Sequence, residues 1–306
     1  MTSLLDMTDV PMKNILENCG FKSVLTLRKV CHSLRNFIDD SCFKTDLDNI
    51  DITIGPTGFA VLCEKRNALR AVRTGYAKDW TSKDLKIFLK MAQNSKLSCF
   101  SVNTNSDNAE GLDDLEDILK KQTRPLQTEY FKIKGSGILK VLPYLDPKTL
   151  KGLFINPANY ETYDQNLDDI EQFLELEQFK NAVKLEISFI FLVRADLRKF
   201  FHLQQLFVRL HETSMEEVVA LKEAFVTSTH MESFDLNCRG LRENQLEQVF
   251  GTPFHDDRYP LDYWRWFFEI RNFKEYVLRI EWVLGNLLRF CKWKAKEVPQ
   301  GAVVQH

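Results

Sequence analysis

A short pattern, apolar-x-x-apolar-x-apolar, returns six times along the chain and constrains the fold more than any other feature. The matches are Leu97-x-x-Phe100-x-Val102, Thr128-x-x-Phe131-x-Ile133, Leu150-x-x-Leu153-x-Ile155, Ala182-x-x-Leu185-x-Ile187, Leu203-x-x-Leu206-x-Val208 and Met231-x-x-Phe234-x-Leu236. Val277-x-x-Ile280-x-Trp282 fits as a seventh. Extended backbone alternates its side chains, so the last two apolar positions of each segment share a face. Successive matches lie about 21 to 32 residues apart, within or slightly beyond leucine-rich-repeat periods. Helical stretches fill the gaps: DLKIFLKMA, LDDLEDILKK, ILKVLPYL, LDDIEQFLELEQF and MEEVVALKEAFV. Ser214-x-x-Glu217 is a capping box, and Thr81-x-x-Asp84 a looser one. The alternation predicts an α/β fold, a parallel sheet backed by helices and coiled as an irregular leucine-rich-repeat-like solenoid. An ordinary two-layer α/β domain is the alternative.

The first 40 or so residues keep a different period. Thr8 can cap a helix with Asp9, Val10 and Pro11 in its first turn, where proline loses no hydrogen bond. Val10, Ile15 and Leu16 give this helix an apolar side, and Gly20 is expected to end it. LTLRKVCHSLRNFID, Leu25 to Asp39, then reads as one amphipathic helix. Leu27, Val30, Cys31, Leu34 and Ile38 share one face, with Arg28, Lys29, His32 and Arg35 opposite. So small a helical unit buries too little surface to stand alone. Its stripe must cover the rest of the chain or another protein.

Composition narrows the function classes. A formal charge of −2 lacks the basic excess of a nucleic-acid binder. MTSLLDMTDV has neither the basic start nor the apolar run of a secretory signal, and the longest apolar run, Phe189 to Val193, is too short to span a bilayer. The seven cysteines form no CxxC pair, which fits reduced, mostly core thiols and places the chain in the cytoplasm, with the nucleus also open.

Motifs that carry chemistry are incomplete. Gly135-Ser-Gly137 follows a strand as a dinucleotide turn would, but Lys140 stands where the third glycine belongs. Gly55-Pro-Thr-Gly58 reads as a turn without the Lys-Ser/Thr of a phosphate loop. No HExxH and no GxSxG occurs, and His255-Asp256-Asp257 reads as a solvated loop. The carboxylates between Asp107 and Asp117 read as a solvated helix start. Lys292, Lys294 and Lys296 read as a solvated tail, and Tyr263, Trp264, Trp266, Phe267 and Phe268 as core or as a cap on the last repeat. No catalytic, cofactor-binding or metal-ligating residue is assigned, and no cofactor is expected.

Seven short strings carry a family resemblance. Leu4-Leu5-Asp6-Met7, Ile15-Leu16, Phe21-Lys22-Ser23 and Leu27-Arg28-Lys29-Val30-Cys31-x-x-Leu34-Arg35-Asn36-Phe37-Ile38-Asp39 resemble an F-box, and more closely that of the nematode F-box A family. Met7-Thr8 stand where an F-box usually has Leu-Pro, the proline having moved to Pro11. Ile138-Leu139-x-x-Leu142-Pro143-Tyr144-Leu145-Asp146-Pro147-x-x-Leu150-Lys151 is similar to that family's FTH domain. So are Ile170-Glu171-x-Phe173-x-Glu175-Leu176-Glu177-Gln178-Phe179-Lys180-x-Ala182 and Val249-Phe250-Gly251.

The resemblance implies a non-catalytic substrate receptor of a Skp-cullin-F-box ubiquitin ligase. Its partners would be a Skp-type adaptor, through it a cullin, and a protein substrate, with no membrane and no direct nucleic-acid contact. Adaptor contacts carried over from the family fall on Leu5, Met7, Pro11, Ile15, Leu16, Leu25, Leu27, Val30, Cys31 and Leu34. The alternative function is an F-box-bearing adaptor that binds a partner without directing its ubiquitination; loss of partner turnover on deleting the F-box separates the two. The expected layout is an F-box over 1–45, connecting segment and first repeats over 46–125, an FTH domain over 126–290 and a tail over 291–306. Strand alternation, independently of the resemblance, points Tyr130, Lys132, Phe154, Lys184, Glu186, Phe207, Arg209 and Asp235 away from the helices, and these are the candidate substrate contacts.

Overall fold

The computed structural model describes residues 7–41, 43–65, 74–104, 109–158, 170–192, 196–255 and 263–306. The chain divides into two compact units, Met1–Lys151 and Gly152–His306. Among the described residues no helix is long and apolar enough to cross a membrane.

The first unit opens with α1 (Asp9–Asn18), α2 (Phe21–Leu27) and α3 (His32–Asp40). Then come β1 (Leu47–Gly55), β2 (Gly58–Lys65), β3 (Thr74–Trp80), α4 (Ser82–Ala92), β4 (Leu97–Thr104), α5 (Ala109–Lys120) and β5 (Thr128–Lys134). The strands lie in the order β5-β4-β1-β2-β3. β5, β4 and β1 are parallel, while β1, β2 and β3 form an antiparallel meander. Leu47-x-x-Ile50-x-Ile52 in β1 is one more copy of the strand pattern, uncounted in the sequence reading. It pairs in register with β4, Ile50 beside Phe100 and Ile52 beside Val102.

The second unit runs β6 (Gly152–Asn156), α6 (Ile170–Glu175), α7 (Glu177–Asn181), β7 (Lys184–Leu192), β8 (Gln205–Leu210), α8 (Met215–Thr227), β9 (Ser233–Cys238) and α9 (Glu243–Phe250). It closes with β10 (Tyr263–Glu269), β11 (Tyr276–Val283), β12 (Leu287–Lys294) and β13 (Val304–Gln305). β6 to β9 are parallel neighbours in chain order. β12 then pairs antiparallel with β9, followed by β11 and β10.

The expected α/β fold is therefore present, with parallel repeat strands backed by helices behind a helical N-terminal segment. Every position of the six repeat matches is buried. Thr128, the polar exception, satisfies its hydroxyl by donating to the Tyr130 carbonyl at 2.9 Å. The seventh match differs. Val277, Ile280 and Trp282 lie in β11, inside an antiparallel meander, because the link to β12 is a tight hairpin too short for the crossover that parallel strands need.

Five local expectations are corrected. Leu25 to Asp39 is two helices: the chain turns over residues 28–30, and Cys31 is the extended N-cap of α3, its Sγ accepting the Leu34 N–H at 3.5 Å. Gly20 begins α2 at φ −61 and does not end α1 in a left-handed turn. ILKVLPYL forms two 3-10 turns, Ile138–Lys140 and Leu142–Tyr144, and LDDIEQFLELEQF breaks at the extended Leu176 between α6 and α7. The expected tail is ordered sheet, since Cys291 to Lys294 complete β12 and Val304 pairs with Phe267.

The incomplete dinucleotide motif is a packing turn. Gly135 and Gly137 have φ of +110 and +86, and a Cβ would strike Thr104 at the first and Leu112 at the second. The acidic helix start is less solvated than expected: Asp113 pairs with Lys140, Asp114 with Ser82, and Glu116 accepts the Tyr144 hydroxyl at 3.1 Å. The aromatic cluster is core at Trp266, Phe267 and Phe268. His255 lies edge-on to Trp264, while Asp256 and Asp257 fall outside the described residues.

Candidate protein-interaction surfaces

The three N-terminal helices make their own small core and then lean on the α/β part of their unit. Met12, Leu16, Phe21, Val24, Leu34, Ile38 and Phe43 are buried. The Phe21 ring meets Phe88 of α4 edge-on at 5.3 Å. The Phe21 N–H donates to Asp46 at 2.8 Å, and Thr45 and Ser95 share a hydrogen bond. Arg28 clamps the turn before α3 by a two-pronged pair with Asp39, at 2.6 and 2.9 Å. The apolar stripe thus covers the chain itself in part.

What remains outside is a smaller set than the sequence suggested. Of the expected adaptor contacts, Leu16 and Leu34 are corrected to core, 1% and 5% exposed. Splitting the long helix turned Leu34 inward and left Val30 outward. Cys31 is half-buried and spends its sulfur as a cap. Ile15, Leu25 and Leu27 are half-buried, Pro11 is exposed, and Leu5 lies outside the described residues. Met7, Val10 and Val30 stand out at 42%, 69% and 66% exposed. Val10 was missed as a contact although the spacing contained the signal: it lies off the side of α1 that carries Met12 and Leu16.

The second surface is the sheet face turned from the helices. In the first unit Tyr130 and Lys132 occupy it, both exposed, with Cys99 and Ser101 beside them in register. In the second unit one lateral row runs Phe154, Glu186, Phe207, Asp235 across four parallel strands. All four are half-buried, as are Lys184 and Arg209. The Lys184 ammonium lies 5.2 Å from the Phe154 ring centre, a cation–π approach. Glu186 accepts the Ser188 hydroxyl at 3.2 Å.

The row continues beyond the parallel strands into residues the sequence reading did not select. Asp235 is opposite Arg289, which is opposite Glu281, which is opposite Arg265. Arg289 grips both Asp235 oxygens, at 2.8 and 3.2 Å, and this carboxylate holds the guanidinium pKa well above its usual range. Asp235 is therefore engaged within the sheet. Glu281 is fully buried but accepts the Tyr263 hydroxyl and lies 3.0 Å from Arg279. Burial first, and the Glu281 carboxylate second, push the Tyr263 phenol up to about 12. The antiparallel register of β12 on β9 brings these groups together, and no local sequence pattern announces it. No group of three or more His, Cys, Asp or Glu suited to a metal occurs among the described residues.

Both surfaces offer apolar and charged side chains to a protein partner. The F-box domain model matches residues 4–46 and the FTH domain model residues 80–254, a span that begins within the segment expected to connect the two and ends short of residue 290. No curated protein and no solved structure matches the chain. F-box domains generally bind a Skp-type adaptor and through it a cullin, and F-box proteins are generally non-catalytic substrate adaptors. With the FTH match covering more than half its length, the chain belongs to the FTH domain family and carries an F-box domain ahead of that domain.

Proposed function

We propose that this chain is the substrate-receptor subunit of a Skp-cullin-F-box ubiquitin ligase. The observation that carries the reading is the distribution of exposed apolar side chains. Three of the eight large ones among the described residues, Met7, Val10 and Val30, lie in the F-box. Solvated apolar groups gathered in one small module mark a docking surface. A Skp-type adaptor bound there fixes the chain to the cullin scaffold, and the FTH domain holds the substrate. The receptor breaks no bond. It raises the effective concentration of activated ubiquitin at a substrate lysine, an entropic gain supplied by positioning alone.

The test is direct binding of the purified full chain to a Skp-type adaptor by calorimetry. Burying a valine is worth about 1.5 kcal/mol or more, so Val10→Ser with Val30→Ser is expected to weaken binding at least about tenfold. Full affinity in a normally folded double variant rejects the adaptor surface. Full affinity together with no ubiquitin transfer to any captured partner rejects the ligase role.

A further inference from the structure

We propose that the cleft between α3 and α4 is a docking groove for an acidic peptide segment that carries an apolar side chain. The cleft has a volume of about 250 Å³ and is lined by Asp39, Lys83, Lys86, Ile87 and Lys90. That is room for a side chain or two, below the size of a small-molecule site. Lys83, Lys86 and Lys90 are three and four residues apart, so they follow one face of α4, and all three are exposed. Like charges at these spacings destabilise a helix, and only Lys90, in the last turn, complements the dipole of α4.

The charge in the groove is unbalanced. Lys83 and Lys86 have no ion-pair partner among the described residues. Lys90 reaches Asp40 only at 3.6 Å, with both side chains more than half exposed. The one lining carboxylate, Asp39, is turned to Arg28, which grips both its oxygens. Asp84, on the same helix, is folded back into the Thr81 capping box. Three ammonium groups thus rim a floor made by half-buried Ile87 and by the aliphatic lysine stems, which lie along apolar surface while their heads stay wet. A phosphate backbone would use the rim and leave the apolar floor empty. A segment alternating carboxylates with an aliphatic residue uses both.

The experiment uses the full chain and three fluorescent synthetic peptides read by anisotropy: glutamate with interspersed leucine, glutamate with serine in place of leucine, and lysine with leucine. The glutamate–leucine peptide is expected to bind at least ten times more tightly than either of the others. Its affinity should fall several-fold from about 50 to 300 mM salt, as for exposed charges. Lys83→Glu with Lys86→Glu should abolish binding. The milder Lys83→Gln with Lys86→Gln should weaken it, and Lys148→Glu, an exposed change elsewhere, should leave it intact. Equal binding of the serine peptide overturns the apolar floor. Unchanged binding in the two-lysine variants, or preferential competition by a single-stranded oligonucleotide, overturns the proposal.

Discussion

Leu34 and Val30 are one helical turn apart in the sequence and have opposite environments. Leu34 is 5% exposed and Val30 66%. Leu34→Ala should therefore cost about 2–5 kcal/mol of stability, as core truncations do. Val30→Ser should stay within about 0.5 kcal/mol while weakening adaptor binding. Denaturant unfolding of both variants, with binding measured on the folded fraction, separates the two roles. The sequence could not assign them, because the stripe was drawn on one continuous helix and the turn at residues 28–30 breaks its phase. The cysteines, expected mostly in the core, are buried at Cys63, Cys238 and Cys291 and half-buried at Cys19, Cys31 and Cys99. Burial pushes Cys63 up to about 12 and Cys238 up to about 11. At pH 8 such thiols hold roughly one thiolate in a thousand or fewer, so both should resist iodoacetamide until the chain is unfolded. Mass spectrometry after brief labelling checks this; modification of Cys238 ahead of the half-buried Cys19 would contradict the burial.

At the scale of the element, α8 shows what a motif reveals and what it hides. Ser214 and Glu217 form the expected capping box: the Ser214 hydroxyl accepts the Glu217 N–H at 3.2 Å, and the carboxylate accepts the Ser214 N–H at 2.9 Å. The other Glu217 oxygen accepts the Leu197 N–H at 3.2 Å, a link from the 3-10 turn Leu197–Phe200, ahead of β8, that the local string does not show. Ser214→Ala should cost about 1 kcal/mol, the usual worth of a cap. Glu217→Ala should cost more, because it also strands the Leu197 donor. Thermal unfolding of the two variants ranks them. The repeat strands were legible in the same limited way: spacing showed which side chains point inward, but not that β12 would close antiparallel on β9. A third element-level tie is Glu129, held between Lys96 at 2.9 Å and Lys151 at 3.0 Å. The hydrogen bond from Lys96, then that from Lys151, lowers its pKa. A depressed carboxylate contributes stability above its unfolded value and loses it as pH falls through the folded one. Glu129→Gln should therefore flatten the acid limb of stability below about pH 4.5, by less than about 1 kcal/mol for so exposed a cluster.

For the whole molecule, the proposed receptor role calls for two partner surfaces, and each compact unit offers one candidate. Val10 and Val30 belong to the unit Met1–Lys151, Phe154 and Phe207 to the unit Gly152–His306. The two phenylalanines flank Glu186 in one lateral row on adjacent parallel strands, about 4.8 Å between neighbours. Their strand-mates Leu153, Ile155, Leu206 and Val208 are buried, while the two rings themselves are half-buried. Half-open aromatic side chains suit an interface, where such residues are enriched. Sites with no shared partner act additively. Phe154→Ser with Phe207→Ser should then abolish capture of a substrate while adaptor affinity stays unchanged. Val10→Ser with Val30→Ser should do the reverse, and either pair should stop ubiquitin transfer in a reconstituted reaction. Unfolding of the phenylalanine variant would make both rings part of the core, and full capture would move the substrate to another surface. Adaptor binding that fell with the phenylalanine pair in a folded protein would show that the two ends of the tether are coupled.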